Sequence, residues 1–147
     1  MAEQGTLIVT KYIPGKMYGF VGYSEDTSTA FFHLGDFQSP FPQEPFPPPI
    51  VGEEVRILEY HVQGDPQKLP KAKKVYRINP VRIVTGVVTV YDHSRGFGFI
   101  QGDDGEQYYL HATEILHGRL PIPGLRVKFY VGQRKKKPRA CFIEVLK

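Results

Sequence analysis

Arg95-Gly96-Phe97-Gly98-Phe99-Ile100 decides how this chain is read, together with Gln107-Tyr108-Tyr109-Leu110-His111, whose histidine falls fourteen positions after Phe97. Side chains alternate between the faces of a strand, so Phe97 and Phe99 share one side, and Tyr109 and His111 share one side of a second strand. Gly96 and Gly98 fall on the opposite side, where a residue without a side chain permits a sharp bend or a close backbone approach. Gly98 therefore offers the core nothing, and Ile100, Tyr108 and Leu110 are left to fill it. The rings are expected on the exposed face. Flat rings beside a cation form a surface on which unpaired bases can stack.

The same pattern occurs earlier in the chain in a weaker form. With Tyr18 set against Phe97, Ile8-Val9-Thr10-Lys11-Tyr12 aligns with Val87-Val88-Thr89-Val90-Tyr91, and Lys16-Met17-Tyr18-Gly19-Phe20-Val21 aligns with the Arg95 hexapeptide. Ala30-Phe31-Phe32-His33 then matches Tyr108-Tyr109-Leu110-His111. Val51-Gly52-Glu53-Glu54-Val55 matches Pro123-Gly124-Leu125-Arg126-Val127, and Pro70–Val75 matches Pro138–Ile143. Landmarks kept in one order indicate an internal duplication. A length of 147 residues would suggest one domain; the duplication divides it into 1–79 and 80–147, joined at Asn79-Pro80-Val81-Arg82-Ile83.

Strands are expected at 6–12, 18–24, 29–34, 54–62 and 72–78, and again at 84–91, 97–102, 107–112, 125–133 and 139–146. Val, Ile, Tyr, Phe and Thr dominate these runs, and Gly, Pro, Asp and Ser separate them. Gly102-Asp103-Asp104-Gly105 has the composition of a hairpin turn. The fold class that follows is all-β, two small five-stranded OB-type barrels in tandem, a closure that removes sheet edges.

The formal net charge of +4 is unevenly spread. Residues 1–79 carry 8 Lys/Arg against 9 Asp/Glu, and residues 80–147 carry 11 against 6. The second repeat thus holds the positive excess that a phosphate backbone attracts. Lys135-Lys136-Lys137 either contributes to that attraction or is a solvated loop tip. The single Cys141 suits a reducing compartment. No apolar run is long enough to span a membrane, and Met1-Ala2-Glu3-Gln4 does not begin a secretory signal. A cytoplasmic setting without membrane contact is expected. His33 and His111 have no second ligand at metal spacing. No nucleophile–base pair or phosphate-cradling loop stands out either, so neither a metal nor an enzyme is expected.

Residues 84–147 resemble a cold-shock domain, the OB-type barrel of bacterial cold-shock and Y-box proteins. Gly86-Val87-Val88 and the Arg95 hexapeptide resemble the family's first nucleic-acid motif, and Tyr108-Tyr109-Leu110-His111 its second. Gly124-Leu125-Arg126-Val127 and Pro138-Arg139-Ala140 match landmarks of its fourth and fifth strands. The resemblance implies stacking of single-stranded RNA or DNA, with little sequence preference, in a chaperone or regulatory role without cofactor or catalysis. The residues implied are Tyr91, Arg95, Phe97, Phe99, Tyr109, His111 and Arg139, with Lys11, Tyr18, Phe20, Phe31 and His33 in the first repeat. Departures reduce the surface. Thr89-Val90-Tyr91 stands where the family usually has Lys-Trp-Phe, Ala112 follows His111, and Met17 replaces a motif glycine.

The proline stretch Ser39–Pro49 lies between the third and fourth strands of the first repeat, where polyproline II is favoured. Three readings stay open. It carries Phe41 and Phe46 over the first ring face, it is a ligand for a partner protein, or it is tucked against its own barrel. The runner-up function is accordingly a protein-interaction module, modulating transcription or translation through the first repeat and this loop.

Overall fold

The computed structural model describes residues 6–43, 46–119, 121–134 and 137–146. The chain divides into two compact units, Met1–Pro80 and Val81–Lys147. The second unit is built from β9 (Ile83–Asp92), β10 (Phe97–Gly102), β11 (Gln107–His111), β12 (Arg126–Arg134) and β13 (Lys137–Val145). They close into a barrel in the order β10-β11-β13-β12-β9.

Alternation fills this barrel. Val88, Ile100, Tyr108, Leu110, Val127, Phe129, Ala140 and Ile143 point inward and are buried. Tyr108 and Phe129 meet edge to face at 5.0 Å, each ring contributing about 1.5–3 kcal/mol by burial. Two bulges supply the coiling that closure needs. In β9, Val90 stands opposite Phe99 but Val88 opposite Ile100, so Thr89 is extra. In the β12–β13 pair, Lys128 faces Glu144 while Tyr130 faces Cys141; the irregularity contains Phe142, whose φ is 51°.

Charge fastens the β10–β11 turn to its neighbours. Arg126 donates Nη1 and Nη2 to the two carboxylate oxygens of Asp103 at 2.9 and 2.8 Å, and Thr85 Oγ1 donates to the same group at 2.6 Å. The Arg126 hydrogen bond and then that of Thr85 lower the Asp103 pKa to about 2. The Tyr108 hydroxyl donates to Asp104, and burial followed by this bond pushes its pKa up to about 12. A carboxylate lowered on folding contributes stability that is present above its unfolded value and lost as pH falls through the folded one. Asp103→Asn is therefore expected to flatten the acid limb of stability between about pH 4 and pH 2, measured by denaturant titration at stepped pH. An acid limb unchanged by Asp103→Asn would dismiss this contact.

The expectation of two barrels is corrected in Met1–Pro80. Its strands are β1 (Ile8–Ile13), β2 (Tyr18–Gly22), β3 (Ala30–His33), β4 (Phe37–Gln38), β5 (Val55–Ile57), β6 (Tyr60–His61), β7 (Lys71–Ala72) and β8 (Val75–Arg77). They form two separate sheets, β1-β2-β3-β7-β6 and β4-β8-β5, and neither closes. The expected strands 54–62 and 72–78 each split between the two sheets, at Leu58-Glu59 and Lys73-Lys74. Where the second unit has its bulge, this hairpin keeps a constant register, with Ile57 opposite Val75 and Tyr60 opposite Ala72. Without the extra residue the ladder lacks the added bend. The interior is also smaller. Ala30 occupies the place of Tyr108, and half-buried Ile57 that of Phe129. Between β1 and the fourth-strand segment the ladder is a single Ile8–Glu54 bridge with a few flanking hydrogen bonds, whereas β9 pairs with β12 from Val87 to Ile83.

The first two strands nevertheless repeat closely. Register shifts past Thr10 as it does past Thr89. A Cβ on Gly19 would strike the Lys11 carbonyl, and one on Gly98 the Val90 carbonyl. Met17 takes the left-handed φ of 56° that Gly96 takes at 71°, and their carbonyls accept from Leu34 N and Ala112 N at 2.8 and 2.9 Å. A side chain in that conformation costs about 1–2 kcal/mol, partly offset by the unfolded-state freedom of glycine. Met17→Gly should therefore stabilise the first unit by about 0.5–1 kcal/mol in urea denaturation. A loss of stability would contradict this.

Candidate nucleic-acid interface

β10 and β11 bring four of the expected residues of the second repeat together. Phe97 stands opposite His111 and Phe99 opposite Tyr109, and all four are half-buried. The Phe97 and Tyr109 rings are 6.0 Å apart and inclined by only 22°. Phe99 meets both edge-on, at 6.5 Å from Phe97 and 6.2 Å from Tyr109. The His111 ring lies 6.4 Å from Tyr109. Its Nδ1 accepts the Thr113 backbone N–H at 3.2 Å, which holds the neutral ring in the tautomer with its proton on Nε2. That leaves one donor for a ligand.

The remaining residues separate. Tyr91 stands opposite Gly98 and packs against the core, with His93 edge-on at 4.8 Å; it is not brought to the Phe97–Phe99 face. Val90 is, opposite Phe99 and 56% exposed. The Arg95 side chain is 74% exposed and lies 3.8 Å from Asp92. Arg139 is buried beside Tyr109, its neighbour in the parallel β11–β13 pair. It lines a cleft of about 740 Å³ with Phe99, Gln107, Tyr109, His111, Arg134, Lys137 and Pro138. Lys137 belongs to the basic run Lys135–Lys137 read from sequence, whereas Gln107 and Arg134 were not singled out. Arg134 adjoins that run, which was the available signal, and Gln107 carried none. Lys135 and Lys136 lie outside the described residues.

The first repeat reproduces the register. Tyr18 stands opposite His33, Phe20 opposite both Phe31 and Lys11, and Tyr18 and Phe20 meet at 5.5 Å and 71°. Lys11 and His33 are exposed. The proline stretch is fastened elsewhere. Arg77, at the end of β8, donates Nη1 to the Pro47 carbonyl at 3.1 Å and Nη2 to that of Pro48 at 2.7 Å. Its guanidinium also lies 5.6 Å from the Phe46 ring, and Pro47 and Pro49 are buried. These contacts attach the loop to the β4-β8-β5 sheet, whereas the first-repeat rings lie on β2 and β3. Among the described residues, no group of three or more His, Cys, Asp or Glu side chains could hold a metal, and no helix is long and apolar enough to cross a membrane.

One family model agrees with this geometry. The model of the family described as "'Cold-shock' DNA-binding domain" matches residues 84–146. Among curated proteins nothing matches. Among solved structures, the chain is similar to one described as "drosophila Unr CSD456", at 18% identity and a TM-score of 0.43 over all of this chain. The chain spans 63% of the length of that structure. Residues 84–146 thus match the cold-shock domain family and form one closed five-stranded barrel, and the unit before them, which does not close, is consistent with a degenerate repeat of it.

Proposed function

We propose that the second unit binds single-stranded RNA or DNA by stacking unpaired bases on Phe97, Phe99, Tyr109 and His111, while exposed cations beside the rings neutralise phosphates. The observation that carries this reading is the half-exposed ring cluster, whose register places all four side chains on one face. Each ring offers a base roughly 1–3 kcal/mol, largely independent of sequence. A chaperone or regulatory role in the cytoplasm is the setting that this chemistry suits. The first unit contributes less, because its charge is negative overall. A protein partner for that unit is a second reading, favoured by edge strand β6 and its flanks, where Leu58, Tyr60 and Val62 are 61, 46 and 79% exposed.

Fluorescence anisotropy of the whole chain with a labelled oligopyrimidine tests the proposal. Affinity should fall with salt, with a log–log slope of about −0.7 per neutralised phosphate. Phe99→Ala should weaken binding more than Phe20→Ala, the equivalent change in the first repeat. No binding at low salt would overturn the reading. An equal or larger loss in Phe20→Ala would move the main site to the first unit.

A further inference from the structure

We infer that the outer edge of β6 takes an acidic, extended segment of a partner protein as an added strand. This rests on the second reading, a protein partner for the first unit, and gives that partner its chemistry. Backbone groups, apolar side chains and charge at this edge all fit the same occupant.

The backbone sets the direction. The Lys73 N–H donates to the Glu59 carbonyl at 2.8 Å, whereas the Pro70 carbonyl accepts from Phe31 N at 3.1 Å. Along β7, Lys71 and Lys73 thus turn their backbone groups toward β6, and Ala72 turns its own toward β3. Tyr60, opposite Ala72, accordingly points its N–H and carbonyl away from β7. β6 ends the sheet order, and among the described residues no backbone group meets that outer edge. The other end of the sheet is covered. There Val9 N–H donates to the Glu53 carbonyl at 3.0 Å, and the Val9 carbonyl accepts from Gly52 N at 2.8 Å. An edge left open is a template for one more strand.

The side chains match. Ala72 is buried in the core of the unit, and residues opposite each other share a face, so Tyr60 points to the core side. It is nevertheless exposed, because the sheet does not close beside it. Burial and then the neighbouring Tyr23 push up the pKa of the Tyr60 hydroxyl, which puts the exposed Tyr23 at the same edge. Leu58 and Val62, on the two flanks, are exposed as well. Such aliphatic groups suit the alternate residues of a strand and offer an unpaired base no ring to stack on.

Charge selects the occupant. The small net charge of the first unit hides a separation of sign. Residues 1–54 carry 2 Lys/Arg against 7 Asp/Glu, and residues 55–79 carry 6 against 2. The acidic Glu59 beside the edge is held by Lys74 at 3.6 Å. Arg56, Lys68 and Lys73 stand in no ion pair among the described residues. Two copies of this basic edge would repel each other, whereas a strand bearing carboxylates is drawn to it.

The test is amide hydrogen exchange of the full chain, read at Tyr60 by NMR. The probes are a peptide of alternating Glu and Val, about ten residues long, and its Lys–Val counterpart. The Glu–Val peptide should slow exchange of the Tyr60 N–H by at least about tenfold and leave Ile100 and Leu110 unchanged. The Lys–Val peptide should need a concentration at least about tenfold higher for the same effect. Val62→Asp, with circular dichroism as the folding control, should weaken the Glu–Val effect by about tenfold as well. Equal slowing by the two peptides overturns the acidic assignment while leaving a protein partner for this unit standing. No slowing by either, at up to about 1 mM peptide, sinks both. Slowing that grows with the concentration of the chain alone, with a doubled mass in sedimentation, makes a second copy the occupant and overturns the inference. Displacement of the peptide from Tyr60 by oligothymidine makes the edge a nucleic-acid surface and equally overturns it. Should Val62→Asp unfold, the comparison of the two peptides on the wild-type chain still decides.

Discussion

Glu53→Ala is expected to destabilise the N-terminal unit by about 3–5 kcal/mol, the loss that follows when one partner of a buried ion pair is removed. The Arg77 side chain is fully buried, and Glu53 is 12% exposed. Their contact is bidentate, with Nε to Oε1 at 2.6 Å and Nη2 to Oε2 at 2.9 Å. Arg77 also lies 5.0 Å from the Phe37 ring and holds the Pro47 and Pro48 carbonyls. Glu53 Oε2 further accepts the Ile50 backbone N–H at 2.7 Å. Removing the carboxylate leaves a guanidinium charge without compensation and a backbone donor unpaired. Hydrogen exchange on the full chain separates the two units, so protection of Val9, Val21 and Val75 should collapse while that of Ile100 and Leu110 stays. A loss below about 1 kcal/mol would show that water reaches the pair and that it behaves as a surface contact.

That ion pair explains why the first repeat was misread from sequence. Val55, Ala72 and Val75 have the alternation of barrel strands, and all three are buried. Closure depends on features that alternation does not encode. Lys74 stands where Phe142 forms the bulge, and Ala30 where Tyr108 fills the base of the barrel. Arg77 instead lies beside the Phe37 ring and holds the proline loop by the Pro47 and Pro48 carbonyls. Arg77 appears in the sequence as one more basic residue near a domain end, and nothing local marks it as buried.

In the second repeat more was legible. Gly98 between Phe97 and Phe99 left no core side chain on its own face, and Ile100, Tyr108 and Leu110 are buried there while the rings are half-exposed. Tyr91 was implied by the resemblance alone. An extra residue at Thr89 exchanges the faces beyond it, bringing Val90 beside Phe99 and Tyr91 to the Gly98 side, and strand alternation does not announce such a bulge. The Glu114–Arg139 contact joins residues far apart in the chain, brought together by the parallel β11–β13 pairing and the Ile115–Ile143 bridge that follows it.

The second large effect is expected on binding. Phe97→Ala combined with Tyr109→Ala removes the nearly parallel ring pair of this face, with centroids 6.0 Å apart. Two stacking contacts at roughly 1–3 kcal/mol each correspond to a loss between about thirtyfold and about twenty-thousandfold. Both rings are half-buried and stand outside the buried core cluster of the barrel, so the melting profile should change little. A variant that unfolds, with binding simply following stability, would mean that these rings are structural.

The central claim is that this face takes unpaired bases, and competition tests it most directly. A labelled single strand bound to the full chain is challenged with unlabelled single strand or with duplex of the same length at matched nucleotide concentration. Bases in a duplex cannot reach a stacking face. The account predicts displacement by the single strand at a concentration at least about tenfold below that required for duplex. Equal displacement by the two would contradict it, leaving only phosphate attraction to explain any binding.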